Sequence, residues 1–270
     1  MQKSSEILLC PPAFFDVSYE INAWMDVGKQ PEFGKSQTQW ASFHDNLVQC
    51  GVELKYIQPR MSLPDMVFTA NGGLVKGKTA ILPNFRHPER EGERELFKQW
   101  FINNGYTVEE LPQEIYFEGE GDALFVEDVL FIGHGLRTSK KAHPIIAEIL
   151  GVEYVSCDLV DPRLYHLDTC LFYGGGNFVY YQDAFSERSM RDIVRTVMKK
   201  AIETSKYINF VNVGHGLAKQ FVCNSICLGD TVITPSKDYG SCFLGMKVIY
   251  CNMSEFIKAG GAAKCLALLL

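Results

Sequence analysis

No run in this chain is apolar for long enough to cross a bilayer. The apolar ending LALLL at 266–270 stops far short of what a helix needs, so a membrane-spanning segment is not expected. There is no block of like charge either. The formal net charge of -6 arises from 26 Lys+Arg and 32 Asp+Glu without any basic run, which argues against nucleic-acid and membrane partners. A mildly acidic chain suits a small cationic substrate instead. The opening MQKSSEILLC lacks a small-residue cleavage site, so no signal peptide is expected. Nine cysteines form an odd and scattered set with no framework spacing, which predicts reduced thiols and a cytoplasmic location. No histidine or cysteine pair has metal-ligand spacing; Cys223 and Cys227 lack two further partners, so neither zinc nor any cofactor is expected.

What the chain does have is a full core, at 47% hydrophobic residues, and a recurring unit. Each copy opens with two β-rich runs joined by a glycine-containing turn, at 66–82, 115–133, 167–181 and 221–234. Helical periodicity follows at 87–105, 140–151 and 186–201, with apolar residues three and four apart. Returning strands are read at 106–111, 152–157, 207–212 and 247–252. A fifth copy is split between the ends: ILLCPP pairs with KCLALLL, and SQTQWASFHDNLVQCG leads to a strand at 52–57. The expectation is an α/β fold of five ββαβ units around a pseudo-fivefold axis, closed by its terminal strands, with 1–270 as one domain.

Closure predicts that equivalent positions of different units share one pocket. Those positions carry Asn71, Glu118, His166 with Asp168, and Cys265: an amide, a carboxylate, an imidazole–carboxylate pair and a thiol. Each has a plainer reading. A cysteine in an apolar strand is usually inert packing, but two glycines precede Cys265 and Lys264 adjoins it, which would favour the thiolate. His166 and Asp168 share one face if YHLDTC is a strand, against the alternative of a satisfied core histidine. Glu118 beside its glycine-rich turn competes with an ordinary surface glutamate. His87 and His143 look like helix-start residues, His44 lies on a helix, and His134 and His215 flank glycines in turns. FGKS at 33–36 echoes a phosphate loop without the spacing, and YGGGN at 173–177 reads as a hairpin tip.

The set PDMVFTANGGLV, NFRHPEREGE, FEGEGDALF, GHGLRTS, YHLDTCL and GGAAKCL, extending from CPPAFFDVSYEINAWM to CLALLL, resembles the guanidino-group-modifying superfamily. Its fold is the pentein α/β-propeller. Within it the chain is most similar to the arginine dihydrolase domain of cyanobacterial bifunctional enzymes, to arginine deiminase and to dimethylarginine dimethylaminohydrolase. The resemblance implies Cys265 as nucleophile, His166 as general acid/base, and Glu118 and Asp168 as holders of the guanidinium nitrogens. It implies Asn71, where deiminases carry an aspartate, as the dihydrolase-type residue. Asn22, Arg90 and Arg137 are implied in substrate binding, the arginines by a bidentate grip on an α-carboxylate, with Arg86 a weaker candidate. INAWM departs from the usual INPWM. The second domain of bifunctional members has no counterpart in these residues, so its activity is not expected.

The implied reaction is thiol-dependent hydrolysis of arginine through an amidino–cysteine intermediate, giving ornithine, ammonia and carbon dioxide. Alternatives are a deiminase giving citrulline, a dimethylaminohydrolase, an amidinotransferase and a non-catalytic binding member. The partner expected is arginine or a methylated arginine. A homo-oligomer is compatible with all of this.

Overall fold

The computed structural model describes residues 6–270; the leader reading of the first five residues lies outside the described residues. The strands form five three-stranded sheets, each an antiparallel hairpin extended by one parallel strand. Leu74–Lys76 pairs with Thr79–Ile81, which carries Thr107–Glu109 in parallel. Ala123–Val126, Val129–His134 and Tyr154–Asp158 repeat the pattern, as do Leu171–Gly174, Asn177–Tyr180 and Asn209–Asn212. A fourth sheet is Ile226–Leu228, Thr231–Thr234 and Lys247–Tyr250. The fifth is closed across the chain ends: Leu268–Leu269 is antiparallel to Glu6–Leu9, which is parallel to Glu53–Tyr56. The five-unit architecture expected from the repeat is therefore present, including the split unit.

Four units carry a helix between their parallel strands, and each buries the face its periodicity marks. In Phe33–Gln49 the inward side chains are Ser36, Gln39, Phe43 and Leu47. Glu91–Asn103 buries Glu93, Phe97 and Phe101, and Glu187–Thr204 buries Ser189, Met190, Ile193 and Val197. Ala142–Leu150 ends at Gly151, whose φ of 61° makes it the left-handed cap its sequence suggested. The unit built on Thr231–Thr234 departs from the pattern, since turns replace a helix on the way to Lys247–Tyr250. Its connection, 235–246, carries Pro235, Gly240 and Gly245 and lacks an apolar stripe.

The first strand of every unit lines a cavity of about 430 Å³, through Leu74, Ala123, Leu171, Ile226 and Leu269. The β-rich runs that open the units are shorter than expected. Residues ahead of each first strand coil into tight turns, Pro64–Val67, Thr69–Gly72, Gly119–Gly121 and Leu167–Cys170. The reason is tertiary: Thr69 Oγ1 donates to the carbonyls of Leu8 (2.8 Å) and Leu266 (2.9 Å), tying its turn to the chain-end unit. YGGGN is the hairpin tip expected, with Gly175 and Gly176 at φ 56° and 76°. Phe33–Ser36 of FGKS opens a helix. Among the described residues, no helix is long and apolar enough to cross a membrane.

Candidate active site

Three of these turns carry polar side chains expected to share a pocket, and these side chains and Cys265 contact one another in pairs. Asn71 lies in Thr69–Gly72, Glu118 caps Gly119–Gly121, and His166 caps the helical turn Leu167–Cys170 that holds Asp168. Cys265 lies in a turn just ahead of Leu268–Leu269, so the expected strand placement is corrected there and at His166–Asp168. The correction matters. Strand spacing would aim imidazole and carboxylate together; the helical turn sends them to different partners.

Asp168 goes to sulfur. Its Oδ2 lies 3.2 Å from Cys265 Sγ, while its Oδ1 is buried with no hydrogen-bond partner. Burial pushes the Asp168 carboxyl up to about 6, against the opposing pull of His166. The same burial, and then the Asp168 charge, pushes the Cys265 thiol well above its ordinary value. The adjacent Lys264 does not relieve it, contrary to the expectation. Lys264 Nζ is held by Glu120 Oε2 at 2.8 Å and the Ala267 carbonyl at 3.1 Å, so its charge is spent on another carboxylate.

His166 goes to Glu118. Its Nε2 is 2.7 Å from Glu118 Oε2, which also accepts from Arg137 Nη1 at 2.9 Å. Burial would raise the Glu118 carboxyl, but the Arg137 charge and the His166 bond outweigh it and hold the group well below the usual carboxylate range. Glu118 therefore stays ionised and accepts, which places a proton on His166 Nε2. Arg137 Nη2 donates to the Ile21 carbonyl at 2.7 Å, and its guanidinium stacks over Tyr165 at 4.5 Å.

Gly121 makes the crowding possible. A Cβ there would stand 2.2 Å from Asn71 Nδ2 and 3.3 Å from the His166 ring. Beneath the thiol, a Cβ on Gly261 would meet Phe68 at 2.5 Å and Cys265 Cβ at 3.2 Å.

The expected carboxylate clamps are differently employed. Arg90 is 3% exposed, and its fork closes on Glu93 through two 2.8 Å bonds. Nη1 donates to Asn71 Oδ1 at 2.8 Å and Nη2 to the Asp65 carbonyl at 3.1 Å. Arg90 thus stands behind Asn71 as its support, because a guanidinium this buried needs an anion of its own. Asn22 is likewise committed: Oδ1 accepts from the backbone of Trp24 and Met25, and Nδ2 donates to the Ala259 carbonyl. Arg86 has an exposed side chain, and its backbone N–H reaches Glu118 Oε1 at 3.2 Å.

One residue escaped the sequence reading. Asn224 precedes the first strand of the unit without a helix and donates through Nδ2 to Cys265 Sγ at 3.0 Å. The repeat itself held the signal, since four units had each supplied a polar side chain at this place and the remaining one was not asked. Of the histidines assigned elsewhere, His87 lies near enough to feel the charges of Arg137 and Glu118. His143 opens a helix and pairs with Ser156, whereas His134 ends a strand and His215 starts a short helix. Among the described residues, no group of three or more His, Cys, Asp or Glu is placed to hold a metal ion.

A thiol, an imidazole, carboxylates and an amide in a five-unit α/β fold are the residue types and architecture of the guanidino-group-modifying superfamily. A family model described as N,N dimethylarginine dimethylhydrolase, eukaryotic, matches residues 22–269, and the chain belongs to that family. A bifunctional arginine dihydrolase/ornithine cyclodeaminase of Synechocystis sp. is 40% identical over 99% of this chain. The chain spans 38% of that relative's length. An N(G),N(G)-dimethylarginine dimethylaminohydrolase of Mycobacterium tuberculosis is 35% identical over 96% of this chain and 84% of its own. The crystal structure of the substrate-bound N-terminal domain of the Synechocystis enzyme superposes with a TM-score of 0.90, at 40% identity and 97% coverage of both chains.

Proposed function

We propose that this chain hydrolyses the guanidino group of free arginine in two rounds, to ornithine, carbon dioxide and two ammonia, and that 1–270 acts as one catalytic unit. The observation that carries the reading is the open Asp168 oxygen. A buried carboxylate with one oxygen on the thiol and the other without a partner is incomplete by itself. A planar cation presenting N–H groups completes it and brings its carbon to sulfur. Glu118, held ionised against the imidazole, supplies the second anion.

At rest the sulfur keeps its proton, because burial and Asp168 both oppose its charge. An arriving guanidinium reverses that balance by placing a fixed positive charge against the same carboxylate. The thiol passes its proton to His166, Cys265 thiolate adds to the guanidinium carbon, and the tetrahedral adduct collapses as that proton goes to the departing ammonia. Water, deprotonated by His166, attacks the amidino–sulfur intermediate, and the thiol leaves a ureido product. In the second round the thiol adds to the ureido carbon, ammonia leaves, and water releases a carbamic acid. That acid loses carbon dioxide to give the amine. Two waters are consumed and two ammonia leave, so the atoms balance.

Asn71 supports the second round. Its Oδ1 is engaged by Arg90, so its Nδ2 end faces Glu118 and Gly121. An amide N–H suits a ureido oxygen, whereas a guanidinium has no acceptor to offer it. The homologous Synechocystis domain has been solved bound to product, as an arginine dihydrolase. Incubation with arginine and quantification of citrulline, ornithine and ammonia tests the proposal. Two ammonia per ornithine is expected; citrulline accumulating one-for-one with arginine consumed refutes the second round.

The family match favours a second reading, hydrolysis of dimethylarginine to citrulline and dimethylamine. Parallel assays with arginine, methylated arginines and agmatine separate the two. Arginine is expected to show the highest kcat/KM, and a preference for the methylated substrate overturns that order. We infer a cytoplasmic site of action from the nine free cysteines.

A further inference from the structure

One fully buried side chain touches the sulfur and has no part in the mechanism above. Asn224 directs nearly all of its hydrogen bonding at the turn that carries Cys265. Its Oδ1 accepts from the backbone N–H of Ala262 (3.1 Å) and of Cys265 (3.3 Å), and its carbonyl accepts from Lys264 N–H (3.1 Å). Its Nδ2 donates to the Asp168 carbonyl (3.1 Å) and to Cys265 Sγ (3.0 Å). The orientation of an amide is read from its network, and this network admits one orientation. Reversed, the amide would set N–H donors against two backbone N–H groups and an oxygen against a carbonyl.

We propose that Asn224 is the positioning residue of the nucleophile, holding Cys265 as an N–H···S donor that favours the thiolate and aims its free face at the guanidinium carbon. This rests on Cys265 being the nucleophile. The charged and titratable groups around the sulfur make such a donor necessary. Asp168, at 3.2 Å, opposes the thiolate. Tyr165, also facing it, is itself kept neutral by burial. Lys264 is bound to Glu120. Asn224 supplies the neutral donor, and in a buried site a bond to an anion is about twice as strong as one to a neutral acceptor. The residue comes from the unit that otherwise gives nothing to the site, so each of the five units supplies at least one member.

Asn224→Asp tests this, since it keeps the acceptor used by Ala262 and Cys265 but replaces the donor facing sulfur. Alkylation of Cys265 by iodoacetamide is followed against pH by mass spectrometry of the peptide that carries it. The expected result is a midpoint at least one unit higher. Alkylation below it then slows about tenfold, and kcat for arginine falls about 100-fold, as for loss of one aimed donor. KM should change less than threefold, because the Asn224 amide is engaged by the Cys265 turn and the Asp168 carbonyl. Asn224→Ser can donate again and should fall between the two. A folded Asn224→Asp protein with the wild-type alkylation profile overturns the proposal, as does a loss confined to KM. If the aspartate variant does not fold, a wild-type profile in Asn224→Ala, which has no donor, overturns it equally. The nucleophile reading fails separately, through retained turnover in Cys265→Ser.

Discussion

Arg90 Nη1 donates to Asn71 Oδ1 at 2.8 Å, and this bond decides which end of the amide faces the site. An aspartate at 71 would accept the same bond but would turn its second oxygen toward the Glu118 carbonyl, where Asn71 Nδ2 now donates at 3.1 Å. Asn71→Asp is therefore expected to consume arginine while losing the second round. The ratio of citrulline to ornithine, near zero in the wild type, should exceed ten; ornithine as the main product of the variant refutes the role of the amide.

Arg90 as a support, and not a carboxylate clamp, makes its own prediction. Arg90→Leu leaves Glu93 without its counter-ion in the core, and breaking a buried pair in this way costs about 3–5 kcal/mol. Denaturant unfolding should show that loss. At temperatures where the variant stays folded, its preference for arginine over agmatine should match the wild type, because agmatine lacks only the α-carboxylate. A preference collapsed tenfold or more would restore the clamp.

Asp168 is costly to the fold at alkaline pH. Its carboxyl is raised to about 6 from 3.8, so the stability it contributes is full below 3.8 and is lost as pH rises through about 6. A shift of that size corresponds to about 3 kcal/mol. Asp168→Asn should abolish turnover and raise the melting temperature at pH 8, with the gain shrinking toward pH 4. An equal or lower melting temperature at pH 8 contradicts this.

On the proposed reading, with arginine as substrate, the same titration limits binding. Arginine stays cationic throughout, but Asp168 is charged only above about 6. Calorimetry of arginine binding to Cys265→Ser should show affinity falling below pH 6, by up to tenfold per unit for one proton. Affinity that is flat from pH 5 to pH 8 removes Asp168 as an anionic anchor.

Gly121 leaves no room for a methyl group. Gly121→Ala places Cβ 2.2 Å from Asn71 Nδ2, so the amide must move or the turn must open. Overpacking of this kind costs about 1–3 kcal/mol, and turnover should fall at least 100-fold while the protein remains folded. Near-normal turnover would show that Asn71 need not stay where it is.

The fivefold repeat was legible because hairpin turns, helical stripes and returning strands are local patterns, and each recurred. Even the unit split between Glu6–Leu9 and Leu268–Leu269 followed from needing a partner for every edge strand. The missing helix at 235–246 could be suspected only from an absent stripe. Cys265, His166, Asp168, Glu118 and Asn71 were legible as residue types at equivalent repeat positions. Their pairing was not.

That pairing depends on turns whose shape local propensity does not specify. The run MVFTANGG reads as a strand, yet Thr69 bonds to the chain-end unit and Gly72, packed under Phe97, curls it into helical turns. Those turns set Asp168 on sulfur and His166 on Glu118, and they put Asn71 within reach of Arg90. From the order of residues alone came the ring, its closure and the inventory of reactive groups, because these follow from periodicity and composition. Which oxygen meets which sulfur, and which arginine is spent on a neighbour, was decided by contacts between units far apart in the chain, since a buried charge takes whatever partner the packing brings within 3 Å or so.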